Sequence, residues 1–316
     1  MEAATESLSD GGPLIVKGPW TADARQNALE GEVVAHFADY LRRTAAARNW
    51  SPLRLPVAEM EELGGRLSPE TSDLVEGFLG VEEHVGDYVS EGLEVFRDDR
   101  TRRNLQLSWG ADEAKHGVAW ELVLKHSGAR TNAQLETFLD KVREHRWSID
   151  AHAEAHTPLG ATVYSMVQER ATYFHYQQTR ARIRKEYGLP ALPTARELER
   201  GCEVGASEAF RVVARDELAH HTIFLQIVRS YIRYFPSATF DVLSRVLSDF
   251  EMPSIRSLPN VRRFLRAVSR TQMYGTSVHR EKVEQPVLHA LGLGDAAGFE
   301  KMRRDSSELP QDVQRL

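Results

Sequence analysis

The chain has 316 residues and a formal charge of −6, because 46 acidic side chains face 40 lysines and arginines. This acidic balance disfavours nucleic acid as a partner, and 41% hydrophobic with 27% charged residues is typical of a globular protein rather than a disordered one. A single cysteine, Cys202, excludes an internal disulfide and a cysteine-built metal cluster, so we expect a reducing, cytoplasmic setting.

Apolar residues recur at intervals of three and four along most of the chain, which predicts an all-α fold. Ser68 before Pro69 is a typical helix start, Gly128 and Gly188 are typical helix ends, and Pro236 should end the longest helix. The predicted helices, in chain order, are 21–47, 69–97, 101–127, 131–152, 158–187, 195–235, 237–251, 260–272 and 280–292.

The two ends of the chain carry the least structural signal. Residues 1–19 are acidic and contain glycine, lack the features of a signal peptide, and are expected to be disordered. Residues 302–316 are expected to form a polar tail. The intervening residues 20–301 are predicted to form a single domain, since the linker-like stretches are too short to separate independent units. No apolar run reaches the ~18 residues of a membrane span, which predicts a soluble protein.

Charged side chains interrupt the apolar stripes of two predicted helices in the same way. Glu217 and His220 lie three residues apart on the stripe of the helix around 206–231, and Glu113 and His116 repeat this arrangement among tryptophans and leucines. Burying a lone carboxylate on such a face is costly. One Glu-x-x-His pair arises readily on a solvated helix face, but two copies in matching contexts indicate a pseudo-twofold site.

Two further helices each carry a solitary inward glutamate, Glu82 and Glu169. Four glutamates and two histidines are the ligand set of carboxylate-bridged di-iron or di-manganese four-helix bundles. In such a site Glu113 and Glu217 bridge both ions, while Glu82 and Glu169 each bind one. Two divalent ions balance four carboxylates, so the assembled centre carries no net charge. Each of these residues alone fits an ordinary helix-face role, and it is their combination that favours the metal site.

An aspartate precedes the glutamate of each Glu-x-x-His pair. We hypothesise that the pairing crosses between the helices, with Asp216 bonding His116 and Asp112 bonding His220. Carboxylates in this position fix the orientation of metal-bound imidazoles.

At these residues the sequence resembles the soluble acyl-acyl-carrier-protein desaturases, a family of cytosolic di-iron enzymes. The likeness extends from about Trp50 to Leu293 and is strongest in four segments, with a fifth similar to the bacterial branch. These segments are 81–83, 109–113, 168–172 and 216–220, and then 250–253. The resemblance implies a ferritin-like four-helix bundle core with additional peripheral helices.

The resemblance also implies roles for individual residues. Glu169 would bind iron, and Thr172, in the characteristic Gln-Glu-Arg-Ala-Thr segment, would lie beside the oxygen-binding side. Trp50 is similar to the family's surface tryptophan, on an electron route through Asp216 and His116. Thr172, Asp216 and Trp50 are therefore the predicted catalytic residues outside the metal ligands.

The implied function is an O₂-dependent desaturase that introduces a cis double bond into an acyl chain on acyl carrier protein. Two iron ions would serve as cofactor, a ferredoxin-type protein would supply electrons, and the enzyme would be a homodimer. The alternative is a di-iron oxygenase or hydroxylase acting on a carrier-bound intermediate in specialised metabolism. A ferritin-like iron store fits the segment 168–172 poorly, and the ligand set alone leaves manganese open.

Two details of the implied function stay open at this point. Glu91 and Glu94 fall where relatives show apolar or small cavity residues, although a rotated helix would turn both carboxylates to solvent. An acidic carrier protein requires a local basic patch. Three arginine-rich clusters are candidates: Arg100, Arg102 and Arg103; Arg180, Arg182, Arg184 and Lys185; and Arg262, Arg263 and Arg266.

Overall fold

The computed structural model describes residues 14–15, 21–149 and 153–306, and all regular secondary structure in these ranges is helical. The helices are α1 (Ala22–Ala47), α2 (Val57–Glu62), α3 (Pro69–Glu82), α4 (Val85–Val95), α5 (Arg100–His126), α6 (Asn132–Arg143), α7 (Pro158–Glu186), α8 (Ala195–Arg200), α9 (Ala206–Tyr234), α10 (Pro236–Asp249), α11 (Val261–Thr271), α12 (Thr276–His279), α13 (Gln285–Ala290) and α14 (Ala296–Ser306). A π-helical stretch, Arg280–Glu284, joins α12 to α13.

Predicted start and stop signals coincide with helix ends. α3 begins at Pro69, where the Ser68 hydroxyl accepts a hydrogen bond from the Thr71 backbone N–H. Gly128 and Gly188 have φ near +70° directly after α5 and α7, a conformation that favours glycine. α9 ends one residue before Phe235, and Pro236 begins α10. The all-α prediction is confirmed within the described ranges.

Two helices predicted as continuous are interrupted. The predicted helix 69–97 divides into α3 and α4 at His84, whose backbone leaves the α-helical conformation with φ −84° and ψ 6°. The side chain of His84 is buried and contacts Asp87, in the first turn of α4, at 3.1 Å. The predicted helix 195–235 divides into α8 and α9, because Gly201 and Gly205 both adopt positive φ. These two glycines, four residues apart, were a readable sequence signal for the second interruption.

The remaining differences lie near the ends of elements. The predicted helix 131–152 ends at Arg143, and residues 150–152 lie outside the described ranges. Residues 302–306 continue α14 rather than starting a tail, and Met302 packs against the core. The rest of the expected tail, 307–316, and nearly all of the expected disordered segment, 1–19, lie outside the described residues.

Helices α3, α5, α7 and α9 form the central bundle, with α7 and α9 packed along each other and α3 packed along α5. α1 lies across α9 and α5, α10 covers α7 and α9, and α11 covers α3. Two apolar clusters fill the bundle, one around Phe224 and Tyr231 and the other around Phe78 and Trp120. Along α9, residues 217–220 lie between these clusters. No helix in the described ranges is long and apolar enough to cross a bilayer.

Candidate metal centre

Each helix of the central bundle contributes a glutamate to the level between the two apolar clusters. α3 contributes Glu82, α5 contributes Glu113 with His116, α7 contributes Glu169, and α9 contributes Glu217 with His220. All six side chains are buried, and none is more than 6% exposed. The Glu-x-x-His pairs share a face because residues three apart on an α-helix lie one above the other.

The six side chains form two overlapping groups. In one, ligand atoms of Glu82, Glu113, His116 and Glu217 all lie within 4.8 Å of one another. In the other, the same limit holds for Glu113, Glu169, Glu217 and His220. Glu113 and Glu217 belong to both groups, as two bridging carboxylates of a dinuclear centre would. The structure therefore brings together every side chain that the sequence nominated as a metal ligand.

Several oxygen and nitrogen atoms in this cluster are buried without a hydrogen-bond partner in the described structure: both carboxylate oxygens of Glu217, Glu113 Oε1, Glu169 Oε2 and His220 Nδ1. His220 Nδ1 and Glu113 Oε1 approach to 2.9 Å without forming a hydrogen bond, as two ligands of one ion do. Leaving such atoms unpaired in a protein interior costs about 1–3 kcal/mol each. Oxygen and imidazole donors in this number fit two divalent transition-metal ions.

Proton affinities in the cluster show the cost of holding four carboxylates together. Burial and the nearby Glu113 charge raise the pKa of Glu82 to about 8. Burial, with Glu113 and Glu169 close by, raises the pKa of Glu217 well above its ordinary value. Burial also opposes ionisation of Glu113, but His116 and His220 outweigh it and lower the pKa of Glu113 to about 2. Without added cations the cluster therefore retains protons that metal ions would displace.

The predicted crossing of the aspartates is confirmed. His116 Nε2 lies 3.4 Å from Asp216 Oδ2, and His220 Nε2 lies 3.4 Å from Asp112 Oδ2. Both aspartates are buried. Each contact holds Nε2 of a ring away from the centre, so Nδ1 faces the carboxylates. Although burial disfavours charge on the imidazole, Glu113 and Asp216 raise the pKa of His116 well above its ordinary value.

Trp50 lies in the chain of contacts that leads from the surface to His116. Its indole Nε1 donates a hydrogen bond to Asp216 Oδ2 at 2.6 Å. Its rings lie nearly parallel to the His116 imidazole, at an interplanar angle of 9° and a centroid distance of 6.3 Å. Trp50 is itself half-buried. The predicted contact between Trp50, Asp216 and His116 is thus present, and its role in electron transfer stays a prediction.

Sequence reasoning missed three side chains that stabilise the aspartates. The Tyr40 hydroxyl donates to Asp112 Oδ2 at 3.0 Å, and Lys115 Nζ donates to Asp112 Oδ1 at 2.6 Å. The buried guanidinium of Arg48 lies 3.9 Å from both Asp112 and Asp216. A signal was available for Tyr40, because it lies on the buried stripe of α1 and carries a polar end.

A cavity of about 280 Å³ lies against the cluster, with Glu82 and Glu113 in its wall. Its lining is mostly apolar and aromatic, and it includes Phe78 and Trp147. Thr172 also lines the cavity, three residues after Glu169, and its hydroxyl donates to the Gln168 carbonyl at 3.0 Å. The predicted place of Thr172 beside oxygen stays a prediction.

The two glutamates of uncertain orientation lie in different environments. Glu94 is exposed and pairs with Arg97 at 3.1 Å. Glu91 borders the cavity, but its carboxylate lies 3.4 Å from the exposed Arg146.

Known proteins resemble this chain in fold more than in sequence. No curated protein matches it. A family model described as fatty acid desaturase matches residues 97–309. Among solved structures, DesA2 of Mycobacterium tuberculosis H37Rv, provisionally described as an acyl-ACP desaturase, is 16% identical, with a TM-score of 0.57. That match covers 87% of this chain and 99% of DesA2.

A second solved structure, an R2-like ligand-binding oxidase with a reconstituted Mn/Fe cofactor, is 15% identical, with a TM-score of 0.47. It covers 86% of this chain and 93% of its own. The similarity to DesA2, together with the helices described above, confirms the predicted ferritin-like four-helix bundle with peripheral helices.

Proposed function

The chain belongs to the fatty acid desaturase family, and on this basis we propose that it is an O₂-dependent di-iron desaturase. Its substrate is an acyl chain carried on acyl carrier protein, into which it introduces a cis double bond. The observation that carries the proposal is a buried cluster of four carboxylates and two imidazoles in the wall of an apolar cavity.

The residues that hold the two iron ions are Glu82, Glu113, His116, Glu169, Glu217 and His220. When bound, iron supplies the means to activate dioxygen and remove hydrogen from an unactivated methylene group. Several ligand atoms of these six residues are buried without a hydrogen-bond partner in the described structure, and leaving them without metal costs free energy.

Hydrogen bonds from the bundle orient the terminal carboxylates. The Tyr176 hydroxyl donates to Glu82 Oε1 at 2.7 Å, and the Trp109 indole donates to Glu169 Oε1 at 2.7 Å. At Glu169 the bond occupies Oε1 and leaves Oε2 3.4 Å from His220 Nδ1, and at Glu82 the bonded Oε1 lies 4.0 Å from His116 Nδ1. Fixing the ligands in this way keeps the geometry in place before substrate arrives.

The cavity walls exclude water and align the acyl chain beside the centre. Aromatic side chains form much of this wall, so the cavity favours an apolar methylene chain over polar groups that carry bound water. The hydroxyls of Thr172 and Tyr176 both lie in this wall, and that of Tyr176 is bonded to Glu82. The present acceptor of the Thr172 hydroxyl is the Gln168 carbonyl, and rotation about the Cβ–Oγ1 bond makes its proton available for transfer in this proposal.

Electrons enter, in this proposal, through Trp50. It is half-buried, bonded to Asp216 and parallel to the His116 ring, so it provides a continuous contact from the surface to a ligand of the centre. A ferredoxin-type protein is the proposed donor. The proposed setting is the cytoplasm, where such donors and a reduced Cys202 are compatible.

The proposed assembly is a homodimer. Leu107 and Val118 on α5 are 52% and 44% exposed, and residues eleven apart on an α-helix lie on one face. An apolar face on a long bundle helix fits a second copy of the chain. A molecular mass in solution equal to twice that of the chain is expected, and the mass of a single chain would contradict the dimer.

The decisive test is product analysis. The metal-free protein is loaded with Fe²⁺ anaerobically, then given reduced ferredoxin, O₂ and a panel of acyl carrier proteins with saturated chains. Mass spectrometry should show the loss of two hydrogens from the acyl chain. Gain of an oxygen atom would instead establish the oxygenase alternative, and neither change on any substrate would contradict the proposal.

The assignment of the site is tested with two glutamate variants. Glu113→Ala should abolish turnover, because it removes a carboxylate that belongs to both ligand groups. Glu94→Ala is the matched control, since Glu94 is exposed and remote from the cluster, and should turn over as the wild type does. Normal turnover by the Glu113 variant would remove the catalytic role of the cluster.

A further inference from the structure

The substrate cavity reaches the surface on α11. Among the described residues that line it, Leu265 is the exposed one, with 49% of its surface accessible to solvent. Phe264 and Val268 on the same helix also line the cavity and are less exposed. The cavity therefore has an opening beside Leu265 that an acyl chain can use, and the side chain of Glu251, 42% exposed, also borders the cavity.

A basic groove runs along a neighbouring face of α11. It has a volume of about 780 Å³, lies between α6 and α11, and is lined by five cationic side chains: Arg130, Lys141, Arg262, Arg263 and Arg266. Since Arg262 and Arg266 flank Leu265 within about one helical turn, the groove adjoins the cavity entrance.

Two of these cations are already neutralised. Arg130 donates to Asp73 and to Glu76, each at 2.6 Å, and Arg263 pairs with the same two carboxylates. Exposed Lys141, Arg262 and Arg266, by contrast, have no ion-pair partner among the described residues. Three unpaired positive charges therefore point to an anionic partner from outside the chain.

The other arginine-rich clusters are less suited to that role. Arg184 is fully buried and bonded to Glu197, and Arg180 bonds Glu203 at 2.9 Å. Arg102 is buried and bonded to Asp99 at 2.6 Å. Its neighbours Arg100 and Arg103 are exposed, but neither lines the cavity entrance.

We propose that the groove between α6 and α11 is the docking surface for the acidic carrier protein, an inference that rests on the proposed function. Arg262 and Arg266 receive the phosphate of the prosthetic arm and acidic side chains of the carrier, and Lys141 extends the contact across the groove. The acyl chain then enters past Leu265. Complementary charge guides encounter and fixes orientation, which is what a thioester-linked substrate requires.

The test measures binding of fluorescently labelled palmitoyl-acyl carrier protein to the iron-loaded, full-length enzyme by anisotropy. The double variant R262E/R266E should weaken binding at low salt by about tenfold or more and reduce its salt dependence. R262K/R266K keeps both charges and should retain most of the affinity. In turnover, KM should rise for R262E/R266E while kcat at saturation changes little, because the metal cluster is untouched.

The matched control is R100E/R103E, which makes the same change of charge at two exposed arginines away from the entrance. It should bind within about twofold of the wild type. Equal weakening in both double variants would show a general charge effect and would contradict the assignment of the groove as the docking surface. Wild-type affinity in R262E/R266E would overturn it while leaving the proposed function standing. If the wild type itself binds no carrier protein, the carrier substrate and the groove are both wrong.

Discussion

Two groups of buried carboxylates lie in this protein, and their charges are balanced in different ways. At the C-terminal end of α7, Glu197 and Glu203 surround the fully buried guanidinium of Arg184. Arg184 donates to both oxygens of Glu197, at 2.8 and 3.1 Å, and lies 3.3 Å from Glu203. Its remaining donors bond the carbonyls of Pro190 and Leu192.

Among the described residues, no arginine or lysine pairs with the four glutamates of the metal centre, whose neighbouring bases are His116 and His220. Its four glutamates and two histidines leave ligand atoms unpartnered, including both oxygens of Glu217. The chain thus neutralises one cluster with its own arginine, whereas the carboxylates of the other cluster keep unpaired atoms that can bind cations from solution. Buried charge that is fully paired supports the fold, whereas buried charge that is incompletely paired marks a binding site.

The largest expected effect is on stability at the self-contained cluster. Arg184→Met should lower the free energy of unfolding by about 3–5 kcal/mol, because it leaves the buried carboxylate of Glu197 without its cation, whereas Glu203 keeps Arg180. Urea denaturation measures the change. Arg97→Met, at an exposed arginine paired with exposed Glu94, is the control and should cost less than about 1 kcal/mol. A loss at position 184 as small as this would refute the comparison.

Bound metal should stabilise the protein through the metal centre and not through the cluster around Arg184. Anaerobic Fe²⁺ at about one hundred times its Kd should raise the free energy of unfolding by about 2.7 kcal/mol in the wild type. Glu217→Gln should lose most of this gain, since Glu217 belongs to both ligand groups. Glu94→Gln should keep it. Thermal unfolding with and without metal gives the answer, and equal stabilisation of all three proteins would place the metal elsewhere.

The third expected effect is a difference in how the two clusters make folding stability depend on pH. A raised pKa stabilises the fold at low pH, so the metal-free centre should lose stability as pH rises from about 4.5 through 8, the pKa of Glu82. The raised pKa values of Glu217, His116 and His220 act in the same direction, whereas the lowered pKa of Glu113 acts below about pH 4.5, outside this range.

The arginine cluster should show the opposite dependence. Hydrogen bonds from Arg184 lower the pKa of Glu197 to about 2. Its contribution is therefore present above the ordinary value of 4.5 and is lost as pH falls towards 2.

The pH dependence of the metal centre is tested with a Glu82 variant. Denaturation of metal-free Glu82→Gln between pH 4.5 and 8 should show a flatter profile of unfolding free energy than the wild type. An unchanged slope would mean that Glu82 does not govern the pH dependence.

Local sequence signals were sufficient for the helices and for the inward faces. The spacing of Glu113 and His116, repeated at Glu217 and His220, needs only the helical period to place both side chains on one face. Interruptions were harder to predict. The break between α3 and α4 falls at His84, which is buried, and no glycine or proline marks this position in the sequence.

The basic clusters show the limit of the sequence most directly. All three candidates look alike as strings of arginine, yet Arg184 is enclosed by carboxylates and Arg262 is free on the surface. Arg263, next to Arg262, pairs with Asp73, about 190 positions away in the chain. Pairing over such separations follows from the packing of α11 on α3 and carries no local pattern.

The sequence by itself determined that the protein is helical and that two Glu-x-x-His pairs and two further glutamates lie on inward helix faces. These follow from the period of the α-helix and from the chemistry of buried carboxylates, whereas the crossed pairing of Asp216 with His116 and Asp112 with His220 was a hypothesis that the structure confirmed. Only the tertiary structure decided that Tyr40 and Arg48 support the aspartates, that the cavity opens beside Leu265, and which cations are left unpaired. Those facts depend on contacts between residues far apart in the chain, which no local spacing encodes.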